Sequence, residues 1–285
     1  MKRVLLLVLS LCAVMVCSAQ NEKYVNMFLG TGGDHGQMSP AAAVPFGAIA
    51  VGPDSSPARH VGYDYMVPTI SGISINRVSG VGCDGTGCNI SVRPAMPDKV
   101  LKIVKESEKA YPGYYETMFD NGVKGEFTAT KNMAVERYIF PADGRKLLYV
   151  NFLASVDTHN VAAAYEVKSD TEINGHVDSP TACSRGSYRL YFNFSTSSDF
   201  TVVKSNPTNV LLEFAPSVQQ VEVRIAVSAV GQDAADDIAV DWQAMSFEKL
   251  LKQARGQWRE KLNQIDVKGS TEDQRRIFYT LLYRV

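Results

Sequence analysis

The sequence predicts a mainly β protein: an antiparallel β-sandwich as the N-terminal domain, followed by C-terminal linker helices. Three observations predict this fold class. Large apolar residues at 221, 223, 225 and 227 alternate with Glu222, Arg224 and Ala226, as they do in a strand with one buried face. Short turn signals separate similar runs. After Gly231 the apolar period changes to that of an amphipathic helix.

The middle of the chain carries the strand pattern four more times. These segments are Val123–Thr130, Lys146–Phe152, Ala162–Val167 and Tyr188–Phe194. Turn sequences accompany them at Asp120–Gly122, Pro141–Gly144 and Ile173–Gly175. Because no helical segments alternate with the strands, the pattern favours an antiparallel sandwich over a βαβ fold.

The C-terminal part is predicted to contain two helices. The first has one apolar face, made of Phe247, Leu250, Leu251, Ala254, Trp258, Leu262 and Ile265. The second begins where Thr271 and Gln274 have the spacing of a capping box. Its apolar residues are Ile277, Phe278, Leu281, Leu282 and Val285. This face either folds back on the sandwich or is covered by more of a longer protein, and we expect the second.

The N-terminus has the features of a secretory signal. Lys2 and Arg3 precede the apolar run 4–16, and small residues at Cys17 and Ala19 suit cleavage after Ala19. The run is too short for a membrane-spanning helix. We therefore expect export to the periplasm or medium, with a signal peptide at 1–19, the sandwich domain at 20–230 and the helical region at 231–285.

Composition and charge narrow the function classes. The 285 residues are 45% hydrophobic with a formal net charge of −1, as in an ordinary globular protein. No basic run with interleaved aromatic residues is present, so nucleic acid is not an expected partner. Without the signal peptide three cysteines remain, Cys83, Cys88 and Cys183, which allow one disulfide and one free thiol. Cys83 and Cys88 are close enough for a small loop disulfide, although nothing demands it.

Two glycine-rich segments stand out among these elements. The first is "GTGGDHGQMSPAAAVPFGAIAVGPDS", from Gly30 to Ser55, and the second surrounds Asp84. Such loops are costly to order, so they either build a site or pack against a neighbour. From these residues alone, a role in packing is as plausible for the two segments as a role in a functional site.

An ordered series of motifs along the mature chain resembles one known family. The series comprises "VNMFLGTGGDHGQMSPAAAVPFGAIAVGPDS", "GYDY", "ISGISINRVSGVGCDGTGC", "GYYETMFDNGVKGEFTATKNMAVERYIFP" and "VKGSTEDQRRIFYTLLYRV". It is similar to the N-terminal part of glycoside hydrolase family 92, which comprises exported, calcium-dependent α-mannosidases. The resemblance covers nearly all of the mature chain.

This resemblance implies a β-sandwich, a linker helix and a larger (α/α)6 catalytic barrel, with the active site where the two domains meet. It also implies that the general acid and base are carboxylates of the barrel and that hydrolysis inverts the anomeric configuration. Calcium, held mostly by barrel residues, would grip the mannose hydroxyls. We therefore expect neither the catalytic pair nor a metal site within this chain, and the barrel as its missing partner.

The carboxylates of this chain agree with that expectation. Strand and turn acids such as Glu116, Glu126, Glu136 and Asp143 are expected on the solvent side of the sheet. The acids expected in glycine-rich loops are better placed to hold sugar hydroxyls than to exchange protons; they are Asp34, Asp54, Asp64 and Asp84.

The glycine-rich loops are expected, by this resemblance, to line the pocket for terminal mannose of α-mannosides or N-glycans. The candidate substrate-binding residues are His35, Phe46, Gly47, Arg77, Cys83 and Asp84. His35 has an equal alternative as a satisfied loop histidine, and Phe46 is expected more as a core residue than as a platform for the sugar. Many relatives carry Phe-Ser-His-Thr-His-Leu-Ser-Gly at the position of residues 73–80, so the linkage preference does not transfer.

Three functions remain open at this point. The chain is the substrate-shaping domain of a mannosidase, a freestanding carbohydrate-binding module, or a structural or interaction domain. The apolar last helix favours the first, since a protein that ended there would be expected to end on a polar surface.

Asp84→Asn tests the assignment of the second glycine-rich loop. In an enzyme with a complete catalytic domain, losing a charge-assisted hydrogen bond to mannose should cost about 1.5–3 kcal/mol of transition-state binding. Catalytic efficiency should fall roughly ten- to hundredfold with little change in melting temperature. A lower melting temperature with intact efficiency would make Asp84 a turn-capping residue instead.

Overall fold

The computed structural model describes residues 20–33, 37–57, 61–78, 86–159 and 161–285. The predicted signal peptide lies outside these ranges. In these ranges no helix combines the length and apolar character needed to cross a membrane.

Sixteen strands, three α-helices and three short 3₁₀-helices make up the described elements. The first eight strands are β1 Ala42–Ala43, β2 Ala50–Ser55, β3 Thr69–Ser74, β4 Ser91–Arg93, β5 Leu101–Lys102, β6 Lys109–Tyr111, β7 Tyr114–Met118 and β8 Lys124–Ala129. The others are β9 Met133–Ile139, β10 Lys146–Asn151, β11 Ala162–Val167, β12 Glu172–Pro180, β13 Ser187–Thr196, β14 Phe200–Asn206, β15 Asn209–Phe214 and β16 Gln220–Ser228. The helices are α1 Gln232–Gln243, α2 Phe247–Leu262 and α3 Glu272–Arg284.

The strands form two antiparallel sheets of eight strands each among the described residues. One sheet has the order β1-β2-β3-β4-β10-β15-β14, with β5 paired to β3. The other has the order β11-β12-β13-β16-β9-β8-β7-β6. One apolar core joins them, with Ile73, Val92 and Leu148 from the first sheet and Phe127 and Phe192 from the second. The predicted mainly β sandwich followed by helices is confirmed.

All five strands predicted from the sequence are present, but one turn prediction is wrong. Asn174 and Gly175 lie in the middle of β12 instead of in a turn. Gly175 is required there because a Cβ would overlap the carbonyl oxygen of Ala164 on the neighbouring strand. The glycine therefore marks a close approach of two strands, which local sequence does not distinguish from a turn.

The first two helices cover the outer face of the second sheet. Phe247 and Leu250 of α2 pack on Met133, Val135 and other residues of that face. Helix α1 was not predicted, because its inward residues are small or only half-buried and its apolar period is weak. It nevertheless packs on β13 and β16. Ile265, predicted on the α2 face, lies beyond the end of that helix.

Helix α3 begins with the predicted capping box. The Thr271 side chain accepts from the Gln274 backbone N–H, and the Gln274 side chain accepts from the Thr271 backbone N–H. The helix buries Tyr279 and Tyr283 against the segment Asn21–Tyr24, Met27 and α2. It thus folds back in part onto this chain. Phe278 and Leu282 are partly buried against the same cluster, whereas Ile277 and Leu281 are exposed.

Glu136 on β9 is buried in the core, not on the solvent side that the strand pattern predicted. Its neighbours on the same strand face, Ala134 and Tyr138, belong to the central core. The Tyr138 hydroxyl donates a 2.6 Å hydrogen bond to Oε2 of Glu136, whereas Oε1 has no hydrogen-bond partner within the described ranges. Burial raises the pKa of the Glu136 carboxyl to about 8, and the bond from Tyr138 offsets only part of this.

Glu136→Gln should make the protein less sensitive to alkaline pH. Because the folded-state pKa is raised, the stability contributed by Glu136 is complete below the unfolded-state pKa near 4.5 and is lost as the pH rises through about 8. The variant keeps an acceptor for Tyr138 but cannot ionise. From pH 5 to pH 9 its free energy of unfolding should rise relative to wild type by roughly 2–4 kcal/mol.

Urea unfolding at both pH values measures this difference. Glu106→Gln, at an exposed glutamate, is the matched control and should show no such dependence. Equal pH profiles for the Glu136 variant and wild type would contradict the burial of an ionisable carboxyl.

Candidate functional site

The guanidinium of Arg77 lies buried under one end of the first sheet, with only 1% of the side chain exposed. Its Nη2 donates to the Gly52 carbonyl at 2.6 Å and to the Ser74 hydroxyl at 2.9 Å. Its Nη1 donates to the Pro53 carbonyl at 2.9 Å and to the Ser39 hydroxyl at 3.2 Å. The guanidinium N–H groups therefore bond to acceptors of the protein itself, and Arg77 acts as a structural clamp in this arrangement.

The clamp also contacts residues that lie next to three segments outside the described ranges, 34–36, 58–60 and 79–85. Val61, which follows residues 58–60, offers its carbonyl to Arg77 Nη1 at 3.4 Å. Arg77 itself forms an antiparallel bridge with Gly87, and the Val78 N–H donates to the Thr86 carbonyl at 3.3 Å, so the residues on the two sides of the segment 79–85 are paired with each other. Ser39 lies just beyond residues 34–36. The clamp thus fixes the bases of the segments that carry His35, Cys83 and Asp84.

Asp54 completes the clamp from β2, although the sequence placed it in a loop. Its Oδ1 lies 3.2 Å from Nη2 of Arg77. Burial raises the pKa of Asp54 while the nearby charge of Arg77 opposes the rise. Gly62 packs directly over this carboxylate, and a Cβ there would overlap it. Asp54 is therefore held by close packing on two sides.

A polar cavity of about 360 Å³ lies beside Asp54. Cys88 contributes a buried thiol to its wall, and burial raises the pKa of this thiol. Strands β3, β4 and β10 and the segment after β10 supply the other polar groups in the wall, which are Ser71, Ser91, Arg93, Tyr149, Asn151, Ser155 and Thr158. Hydroxyl, amide and guanidinium groups of this kind suit a polar ligand or water.

The first glycine-rich loop packs on a pair of partly exposed side chains. The Tyr65 N–H donates to the Thr31 carbonyl at 2.9 Å, and Gly32 lies against Tyr65 and Met66. Met66 is 72% exposed and Tyr65 is 42% exposed. Nζ of Lys105 lies 4.4 Å from the centroid of the Tyr65 ring, which restricts the ring by a cation–π contact. The result is an exposed apolar surface beside glycine backbone, which suits the ring face of a sugar.

Phe46 and Gly47 form a separate projecting turn between β1 and β2. The Phe46 ring is 88% exposed, so its alternative as a core residue is wrong. Nζ of Lys261 on α2 lies 5.8 Å from its centroid. The Ala48 N–H donates to the Lys131 carbonyl at 2.8 Å. These contacts fix the Phe46 turn to the β8–β9 turn and to α2. None of them involves Arg77 or the clamp partners named above.

The predicted site residues are only partly placed by the described structure. Arg77 is buried, and Phe46 and Gly47 lie in the projecting turn. His35, Cys83 and Asp84 lie outside the described residues, as does Asp34. Of the two described cysteines, Cys183 is disulfide-bonded and Cys88 is free, so the considered Cys83–Cys88 disulfide is wrong. Sequence analysis missed the clamp partners Ser39 and Ser74, for which it contains no local signal.

Two carboxylates of the second sheet are engaged in ion pairs. Glu116 lies within 2.9 Å of the amines of Lys109 and Lys124, and Glu126 lies 2.9 Å from the amine of Lys124. Hydrogen bonds from Lys109, Tyr114 and Lys124 lower the pKa of Glu116 to about 2 despite its burial. A carboxylate held ionised in this way is a poor general acid at neutral pH.

Calcium, which the family resemblance implies, finds no fitting donor set in the described ranges. Ca²⁺ takes about six to eight oxygen ligands, several from carboxylates. In the ranges that the structure covers, no group of three or more His, Cys, Asp or Glu residues could hold a metal ion. The residues described here therefore do not fit a calcium centre, and no step is derived through one.

Family models match the chain in two adjacent stretches. Residues 24–228 match the glycosyl hydrolase family 92 N-terminal domain. Residues 233–285 match the glycosyl hydrolase family 92 catalytic domain. The first match alone covers well over half of the chain.

Relatives and solved structures agree with the family models. An uncharacterized secreted glycosidase of Arthroderma benhamiae is 23% identical over 92% of this chain and 41% of its own length. The GH92 family glycosyl hydrolase ccman5 is 26% identical, with a TM-score of 0.84 over 93% of this chain and 40% of that one. The family GH92 α-mannosidase BT3965 from Bacteroides thetaiotaomicron, in complex with mannoimidazole, is 20% identical, with a TM-score of 0.79 over 93% and 40%. The chain thus spans about two fifths of the length of these relatives.

Arg77→Met tests the clamp. Removing one partner of a buried ion pair leaves the carboxylate of Asp54 and several acceptors unpaired, so the free energy of unfolding should fall by about 3–5 kcal/mol. Urea unfolding measures this loss. Adding Asp54→Asn should restore part of it, with a coupling of about 1 kcal/mol or more.

The matched control is Arg145→Met, which breaks the exposed pair with Glu213 and should change stability little. Equal losses at Arg77 and Arg145, or strict additivity with Asp54→Asn, would refute the clamp.

Proposed function

The chain belongs to glycosyl hydrolase family 92, and we propose that it supplies the N-terminal part of the substrate site of an exported α-mannosidase. Its substrates are the terminal mannose residues of α-mannosides, including those of N-glycans. The proposal concerns the complete domain pair, because this chain spans about two fifths of its relatives. The secreted relative and the signal-like N-terminus support export.

The observation that carries the proposal is that one buried residue contacts the described residues that flank the glycine-rich segments. Arg77 joins the carbonyls and hydroxyls that flank three loops, two of which carry the candidate residues His35, Cys83 and Asp84. Beside them, Tyr65 and Met66 offer exposed apolar surface. Polar groups on anchored loops next to an apolar platform are the combination that pyranose recognition requires.

We assign to this N-terminal part the binding and orientation of the substrate. Inverting hydrolysis needs one carboxylic acid to protonate the leaving oxygen and one carboxylate to activate water on the opposite ring face. Glu116 and Glu126 form ion pairs with lysines, and Glu136 is buried in the core. We therefore assign the acid and base to the catalytic domain, together with the calcium ion. The loops of this chain hold the sugar ring so that its anomeric carbon faces those groups.

The test separates binding from hydrolysis. The chain alone should release no mannose from 4-nitrophenyl α-mannoside, with or without calcium. The same chain joined to a complete family 92 catalytic domain should hydrolyse it, with the β-anomer as the first product in proton NMR.

Calcium-dependent mannose release by the chain alone would show that a catalytic pair lies within it and would overturn this division of roles. Saturable mannoside binding by the chain, with no hydrolysis when it is joined to the catalytic domain, would instead support a freestanding carbohydrate-binding module.

A further inference from the structure

A groove of about 410 Å³ lies between α1, α2 and the turn that joins β8 to β9. This volume falls within the range of about 300–1,000 Å³ that is common for small-molecule sites. Its floor is apolar, with Ala129, Leu250 and Ala254. Trp242, which is half-buried against the cluster under α2, forms part of the wall. The groove shares no lining residue with the Arg77 clamp or the polar cavity beside Asp54.

Polar side chains line the rim without protein partners. Asn132, Asp241, Gln253 and Gln257 all line the groove, and in the described part of the chain no hydrogen bond or ion pair engages their side chains. Thr130 adds a second kind of group. Its hydroxyl is buried in the same wall and has no hydrogen-bond partner among the residues that the structure describes. That oxygen is enclosed, so the polar groups that a ligand in the groove would contact are the exposed side chains of Asn132, Asp241, Gln253 and Gln257.

We propose that this groove is a second carbohydrate-binding site, which takes a neutral pyranose unit of an oligosaccharide. Amide and carboxylate groups at the rim match the donor and acceptor hydroxyls of a sugar, and the indole of Trp242 offers a face for the ring. Lys131 and Asp241 contribute one positive and one negative charge, so the lining has no net charge that would favour an ionic ligand. The site does not depend on the proposed mannosidase activity.

The two tryptophans of the chain provide a local readout. The indole N–H of Trp258 donates to the Ala43 carbonyl at 2.6 Å and lies outside the groove, so its NMR signal is an internal control. The ¹⁵N-labelled chain is titrated with methyl α-D-mannopyranoside up to about 50 mM, a range that covers millimolar dissociation constants. The Trp242 indole signal should shift saturably while the Trp258 signal stays in place. The two signals are assigned with Trp242→Phe.

Variants at the rim test the specific contacts. Gln253→Ala and Gln257→Ala each remove one amide and should weaken binding about 3- to 10-fold, the usual effect of one lost hydrogen bond. Gln243→Ala removes an exposed amide at the end of α1 that does not line the groove, and it should bind as wild type does.

Sorbitol tests the requirement for a ring, since it carries the hydroxyls without a ring face. An unmoved Trp242 signal, an equal response to sorbitol, or equal weakening by Gln243→Ala would each overturn the proposal.

Discussion

The arrangement of the candidate site depends on the hydrogen bonds and the ion pair that the buried guanidinium of Arg77 makes. A charge without water is tolerated only where hydrogen bonds and an opposite charge replace the solvent. Arg77 meets this condition through Asp54 and the backbone of β2, and its planar fork imposes the positions of those acceptors. Ser39 and Val61 also accept hydrogen bonds from Arg77, and Gly87 pairs with it, so the same guanidinium-centred contacts place residues that flank the segments 34–36, 58–60 and 79–85.

Ser39 extends the same constraint to the C-terminal helices. Its hydroxyl accepts from Arg77, and its carbonyl accepts from Nη1 of Arg284 at 2.9 Å. Arg284 also donates to the Met27 carbonyl at 2.6 Å. The first glycine-rich loop is therefore held from the sheet on one side and from α3 on the other. A displacement of α3 would shift this loop, because Arg77 and Arg284 both donate hydrogen bonds to Ser39.

The sequence predicted what depends on local pattern and missed what depends on distant partners. Strand alternation, the apolar face of α2 and the Thr271 capping box each depend on residues close together in sequence, and the sequence predicted all three. The meaning of Gly175 depends on a neighbouring strand, and the burial of Glu136 depends on the face that the sheet presents to the core. Arg77 was singled out as a charge in an apolar stretch, but its acceptors are scattered over more than thirty positions, so its clamping role was not predictable.

The Phe46 turn and the groove beside Trp242 are mechanically linked, which bears on how an extended glycan would meet this chain. Lys131 lines the groove, and its carbonyl accepts the Ala48 N–H that fixes the Phe46 turn. A backbone bond between two turns holds them with less freedom than side-chain contacts would. An oligosaccharide bound in the groove would therefore lie at a set distance from the exposed Phe46 ring. Two weak contacts at a fixed separation reinforce each other, because the second is made at a high effective concentration once the first has formed.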